Sequence, residues 1–208
     1  MDKIDNLTEY FSKFPGIGTR QAKRFVYFLL TRNNGYLNEL SDLIQELKKD
    51  IKVCESCCRF YTPNNSSNNP NLCNICINKN RDRNILMVVA KDTDLTNIER
   101  VGNYNGMYFV LGGFVSVLEK YPKQKIKIEK LLNIIQKRME NKELKEIILA
   151  LSLNPDGENT MEYVSDILKP LVEKHKLKIS TLGRGLSTGT ELEYLDNNTF
   201  ENAFKNRV

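Results

Sequence analysis

The sequence predicts an α+β chain built in consecutive parts. An all-helical N-terminal region comes first, then a short cysteine-rich segment, then an α/β layer with a mostly parallel sheet. Three observations predict this. Apolar residues recur at helical spacing as far as about residue 48, and all five cysteines fall between positions 54 and 76. After Arg83, short β-rich runs alternate with helical stretches. A length of 208 residues allows one domain or two small ones, at about 150 residues per domain. With 40% hydrophobic and 27% charged residues, the chain can bury a core and does not belong with disordered sequences.

In the first part, Ile4, Leu7, Phe11 and Phe14 place a short amphipathic helix over residues 3–13. Phe14-Pro15-Gly16-Ile17-Gly18-Thr19-Arg20 follows: two glycines flank Ile17 in a tight turn, and Thr19 is suited to cap the next helix. That helix covers residues 20–31, with Ala22, Phe25, Val26 and Leu29 on one face. A third, at about 37–48, carries Leu40, Leu43, Ile44 and Leu47. Beyond Arg83, strands are expected at Ile85–Val89, Met107–Leu111, Ile147–Leu151 and Lys178–Thr181. Helices are expected at 126–139, with Ile128, Leu131, Leu132 and Ile135 along one stripe, and at 158–174. Such alternation gives a parallel sheet with helices packed on it.

The charge says little: 31 Lys+Arg against 26 Asp+Glu leaves a net +5, so polyanion binding must depend on local placement of basic groups. The single histidine, His175, lies in VEKHKLK and reads as a solvated surface residue. No apolar run approaches the ~20 residues that span a bilayer, and MDKIDNLTEYF carries acids where a signal peptide is basic. A cytoplasmic protein with no membrane partner is expected.

The cysteines carry the strongest signal. Cys54, Cys57, Cys73 and Cys76 form C-x2-C-x15-C-x2-C, with Cys58 as an extra. Two close thiolate pairs can converge tetrahedrally on one Zn²⁺, and four cysteine ligands leave no open position, so the metal is structural. Cys58 competes with Cys57 as ligand; the x2 spacing favours Cys57. The intervening stretch Arg59–Leu72 includes PNNSSNNPN, too polar to fold unaided, so the metal is expected to tie its ends together.

The PGIG turn is a helix-hairpin-helix signature. Without side chains at Gly16 and Gly18, amides at the following helix N-terminus can approach a phosphate. Arg20 and Arg24, one turn apart, and Lys23 beside them add positive charge. Such contacts position a nucleic-acid backbone and read no sequence. The competing reading is an ordinary packing corner with solvated basic residues.

Acids stand where an α/β sheet places ligands, beyond strand C-termini: Asp92 and Asp94 after the first strand, Asp156 and Glu158 after the third. They suit Mg²⁺, but helix capping is the simpler account, with Asp94 capping a helix that starts at Leu95 and Asp156 and Glu158 doing the same near Gly157. GRGLSTGTELEY is rich in glycine and hydroxyls, yet no Lys follows its last Gly, so it is not a P-loop. Arg184 within it is a candidate phosphate or partner contact.

In this order, these residues resemble the bacterial recombination mediator family RecR. The likeness covers nearly the whole chain: the FPGIG hairpin, the four-cysteine knuckle, and a Toprim-like segment. That segment runs through ILMVVAKDTDLTNIE, YFVLGG and ALSLNPDGENTMEYVSDILKP to GRGLSTGTELEYLDNNTF. The resemblance implies a helix-hairpin-helix DNA-binding region at 1–52, a four-cysteine zinc finger at 53–80, a Toprim-like α/β domain at 81–178, and a C-terminal segment at 179–208 for partner or oligomer contacts. It also implies a non-enzymatic mediator that forms rings, typically tetramers, around DNA. Such a protein helps load recombinase at single-strand gaps with RecO- and RecF-type partners. Arg20 and Arg24 fall on the family's DNA-contacting basic positions, the four cysteines on its zinc ligands, and Asp94 and Glu158 on acids implicated in partner binding.

Catalytic Toprim enzymes place a Glu just after the first strand and an Asp-x-Asp pair later. Here those positions hold Ala90, Ser152 and Asn154. Neither Mg²⁺ binding nor proton transfer to a leaving oxygen then has its groups. RecR-like proteins usually keep the first Glu, so Ala90 departs from the family as well. Two other readings stand beside the mediator: a Toprim nuclease or nicking enzyme using Asp92, Asp94, Asp156 and Glu158, and a zinc-bearing RNA-binding protein. The last lacks an aromatic strand motif for stacking bases.

Overall fold

A computed structural model describes residues 2–63, 69–141, 143–183, 189, 191, 193 and 197–205. Two compact units divide the chain, Met1–Ile51 and Lys52–Val208.

The first unit contains α1 (Lys3–Ser12), α2 (Thr19–Leu30) and α3 (Asn34–Asp50). Ala22 and Val26 of α2 are buried, and Phe11 of α1 meets Phe14 and Phe25 edge-on, with ring centroids 5.8 and 5.9 Å apart. These contacts close α1 and α2 into a hairpin around the FPGIG turn. The third helix starts three residues earlier than its apolar pattern because Asn33 caps it, accepting from the Tyr36 amide at 2.9 Å.

In the second unit, β1 (Lys52–Val53) and β2 (Phe60–Tyr61) pair antiparallel around the first cysteines, and α4 (Asn74–Ile77) carries the last one. The layer that follows contains β3 (Asp82–Val89), α5 (Asp92–Val101), β4 (Gly106–Val110), α6 (Pro122–Lys125), α7 (Ile128–Glu140), β5 (Glu146–Ala150), α8 (Pro155–His175) and β6 (Lys178–Thr181); α9 (Asn197–Lys205) comes last. The four strands of the layer pair in parallel in the order β4-β3-β5-β6. With this order, the right-handed crossover rule assigns α5 to one face and α7 and α8, which touch each other, to the opposite face. That is why the strands read as continuous apolar runs rather than alternating ones. Leu86, Val88, Val89, Tyr108, Phe109, Val110 and Ile147 are fully buried.

The sheet order decides where a site can lie. From β3 the chain leaves toward β4, and from β5 it leaves toward β6, in opposite directions. A crevice opens at such a switch point, beyond the strand C-termini. Val89 pairs with Ala150 in register, so the segments beginning at Ala90 and Leu151 border it. No helix among the described residues is long and apolar enough to cross a membrane.

Candidate zinc centre and nucleic-acid interface

The cysteine knuckle is built by short main-chain bridges. The amide of Cys54 donates to Arg59 O at 2.9 Å, and that of Cys58 donates to Cys54 O at 2.9 Å. Glu55 N donates to Asn71 O at 3.1 Å and Tyr61 Oη to Pro70 O at 2.6 Å, which closes the base of the polar loop. This brings Cys54, Cys57, Cys73 and Cys76 together, all buried, with their sulfurs within 4.8 Å of one another. Cys57 Sγ and Cys73 Sγ are 3.6 Å apart. Sulfurs ~2.3 Å from a tetrahedral zinc lie ~3.8 Å from each other, so the donor set fits Zn²⁺.

Electrostatics point the same way. Hydrogen bonds from Cys57, Cys73 and Cys76 hold the Cys54 thiol far below its ordinary pKa. Bonding to Cys54 pushes Cys57 and Cys76 far up. Cys73 comes down to about 7: its bond to Cys54 raises it, but those from Cys57 and Cys76 outweigh that. Without a cation the cluster shares protons and cannot hold four thiolates; a dication removes that conflict. This is a structural zinc site, closed to a reacting ligand. Cys58 stands outside it. It occupies a left-handed turn position at φ 60° with its thiol buried, and burial pushes that thiol's pKa up. The choice between Cys57 and Cys58 therefore falls on Cys57.

At the hairpin, Gly16 has φ +77° and turns the chain, with Ile17 N donating to Phe14 O at 3.1 Å. Gly18 needs no such freedom, since its φ is −81°. It is the N-cap residue of α2, and Thr19, expected to cap, is instead the first helical residue. No side-chain hydrogen bond caps α2, so its first amides have no intrahelical partner. A Cβ at Gly16 or Gly18 would meet nothing within 4 Å, so this surface is open. Arg20, Lys23 and Arg24 are all exposed; Arg20 and Arg24 line one hollow with Gly18 and Gln21, and Arg24 reaches Gln21 Oε1 at 3.4 Å.

At the sheet's C-terminal edge, Asp92 and Asp94 each hold a main-chain amide. Helix α5 starts at Asp92, not Leu95; Asp94 sits in its first turn and accepts from Lys91 N at 2.9 Å. Asp92 Oδ1 accepts from Phe60 N at 2.8 Å, tying α5 to the knuckle. The cap of α8 is Asn154, which accepts from Gly157 N at 2.8 Å, so Asp156 and Glu158 are first-turn residues rather than caps. Pro155 opens α8, three residues ahead of the expected start, because proline suits a first helical turn. A Cβ on Gly157 would lie 2.0 Å from Ser152 O, so the turn closes only around glycine. Buried Thr160 braces the same edge, accepting from Val115 N at 2.8 Å and donating to Asp156 O at 2.5 Å.

Sequence reasoning passed over several residues. Arg81 bonds Glu99, which also accepts from Tyr108 Oη at 2.6 Å. Lys127 Nζ donates to Cys58 O at 3.0 Å. Arg138 carried a signal: it continues the apolar stripe of Leu131 and Ile135 at helical spacing. His175 is half-buried in the last turn of α8 rather than solvated. Arg184 lies outside the described residues.

A helical hairpin followed by a zinc knuckle set on a parallel α/β sheet defines a Toprim-bearing, zinc-stabilised protein with a hairpin unit of the nucleic-acid-binding type. The Toprim domain family matches residues 84–183, and the family described as RecR, helix-hairpin-helix matches residues 4–48. Recombination protein RecR of Lactobacillus acidophilus is 32% identical over 205 residues, spanning 99% of this chain and 96% of that protein. The protein of that name from Chloroherpeton thalassium is 32% identical over 98% of this chain and 95% of its own. That from Dehalococcoides mccartyi is 35% identical over 98% and 93%. The chain belongs to the RecR family.

Proposed function

We propose that this protein is a non-enzymatic, DNA-binding recombination mediator that acts in recombinational DNA repair. The observation that carries the reading is similarity to recombination proteins over 99% of the chain at 32% identity. DNA is held by the hairpin: Gly16 and Gly18 keep the surface open, the first amides of α2 face incoming phosphate, and Arg20, Lys23 and Arg24 supply charge. Several copies close a ring, a tetramer, around gapped DNA or a single-strand/double-strand junction. The ring helps load recombinase at the gap with RecO- and RecF-type partners. Asp94 and Glu158, at the C-terminal edge of the sheet, belong to the partner surface. The working parts are 1–52 for DNA, 53–80 for zinc, 81–178 as the Toprim-like scaffold and 179–208 for partner or oligomer contacts.

Absence of chemistry follows from the residues at the switch point. Ala90, Ser152 and Asn154 supply no carboxylate, and Asn154 is occupied as the α8 cap. Asp92 and Asp94 are likewise committed to main-chain amides. The test is one incubation with end-labelled gapped DNA and Mg²⁺, run on native and denaturing gels. A shifted complex with intact strands is expected. Strand cleavage that disappears in an Asp94/Glu158 double variant overturns the reading in favour of a nuclease.

A further inference from the structure

The zinc knuckle and α7 share a cavity of about 320 Å³, lined by Cys76, Arg83, Lys137, Arg138 and Glu143 among others. Within it the Arg138 guanidinium has an unusual position. Its Nη1 is shut off from solvent and has no hydrogen-bond partner. A buried unpaired donor on a cation is expensive and needs an explanation. Glu143 stands nearby, yet makes no ion pair with Arg138 among those of the described residues.

The metal-binding cysteines border the same cavity through Cys76. Zn²⁺ with four thiolates carries a net charge of 2 − 4, or −2, and that charge is buried with Cys76 at 4% exposure. An anionic ligand in the cavity would be repelled by it; a cation would be drawn in. We propose that Arg138 is a positioning residue for the zinc centre, donating from Nη1 to Cys76 Sγ once zinc is bound. It thereby offsets part of the thiolate charge and links metal occupancy to the α7 face of the sheet. Burial pushes the Arg138 pKa down, and the neighbouring Cys76 and Glu143 offset only part of that. Arg138 stands where the helical stripe calls for an apolar residue, one heptad after the fully buried Leu131. Outer-shell donors of this kind raise metal affinity without touching the metal.

The test is zinc affinity, measured on the full-length protein by competition with a chromophoric chelator. Arg138→Met, which keeps the stem but not the charge, should bind zinc about 10–100-fold more weakly. Arg138→Lys should retain most of the affinity, and Lys174→Met, exposed on α8 and outside the cavity lining, should match the wild type. A role in packing alone would lower the melting temperature of R138M and leave its zinc affinity unchanged, and that result overturns the proposal. Should R138M not fold, the wild-type protein loaded with cadmium gives a direct reading by NMR. A coupling from the metal to an Arg138 Hη across the sulfur is expected. The Cys73 amide, which donates to Cys54 Sγ at 3.3 Å, serves as the internal positive signal. A Cys73 signal without an Arg138 signal overturns the proposal.

Discussion

The amide of Val110, the last residue of β4, donates to the carbonyl of Cys57 at 2.8 Å. A zinc ligand thus sits on the outer edge of the sheet, and this edge strand is buried along its whole length. The knuckle thus supplies a partner for the last amide of β4, while Arg81 and Tyr104 Oη bond the Gly106 and Met107 carbonyls of the same strand.

Zinc removal should therefore reach beyond the knuckle. Chelation is expected to lower the melting temperature of the whole α/β unit and to deprotect the β4 amides in hydrogen exchange, because metal binding and folding of so polar a loop are coupled. An unchanged melt after verified zinc loss would show that the bridge carries no stability.

Two adjacent cysteines should behave oppositely. Cys57→Ala removes a sulfur of the buried cluster and should abolish stoichiometric zinc. Cys58→Ala should keep one zinc per chain, since its thiol is outside the cluster. Zinc content of the two purified variants checks this.

At the hairpin, Arg20→Ala with Arg24→Ala should weaken binding to every DNA sequence alike. Each lost phosphate contact takes about 0.9 from the slope of log affinity against log salt, so the double variant should lose about 2. Titrations at several salt concentrations measure it; an unchanged slope would place the contacts elsewhere.

Gly157→Ala should destabilise the second unit by about 1–3 kcal/mol, because the new methyl meets main-chain oxygen, not a side chain that can move. Denaturant unfolding of the variant reads the cost. Gly18→Ala, which meets nothing and keeps an ordinary φ, should cost only what alanine loses against glycine at an N-cap, about 0.5–1 kcal/mol.

Glu99 predicts a pH dependence. Burial raises its pKa, but bonds from Arg81 and Tyr108 outweigh this and leave it lowered. The folded carboxyl therefore titrates below the unfolded value of about 4.3. Its contribution is fully present above that value and is lost as pH falls through the lower, folded one. Wild type should be more stable than Glu99→Gln at neutral pH, and the gap should narrow as pH falls below about 4. A gap that stays constant with pH would remove the ion pair as its source.

The four-strand layer, the three N-terminal helices and the metal were legible because each depends on local pattern. Helical or β periodicity shows which residues face the core, and paired C-x2-C spacing shows which thiols share a turn. The departures came at helix starts. Asp94 and Thr19 look like caps by residue type, yet Lys91 and Gly18 hold those positions; capping turns on where the helix begins, which neighbouring contacts decide. By itself, then, the sequence determined the order of elements, the zinc chemistry and the loss of the Toprim carboxylates at Ala90, Ser152 and Asn154. The structure places Cys57 rather than Cys58 in the cluster, as the x2 spacing favoured. Only the tertiary structure decided that the last amide of β4 bonds the knuckle, and that Arg138 Nη1 is shut off from solvent in a cavity shared with Cys76. Both are contacts between segments distant in the chain, and no local periodicity encodes them.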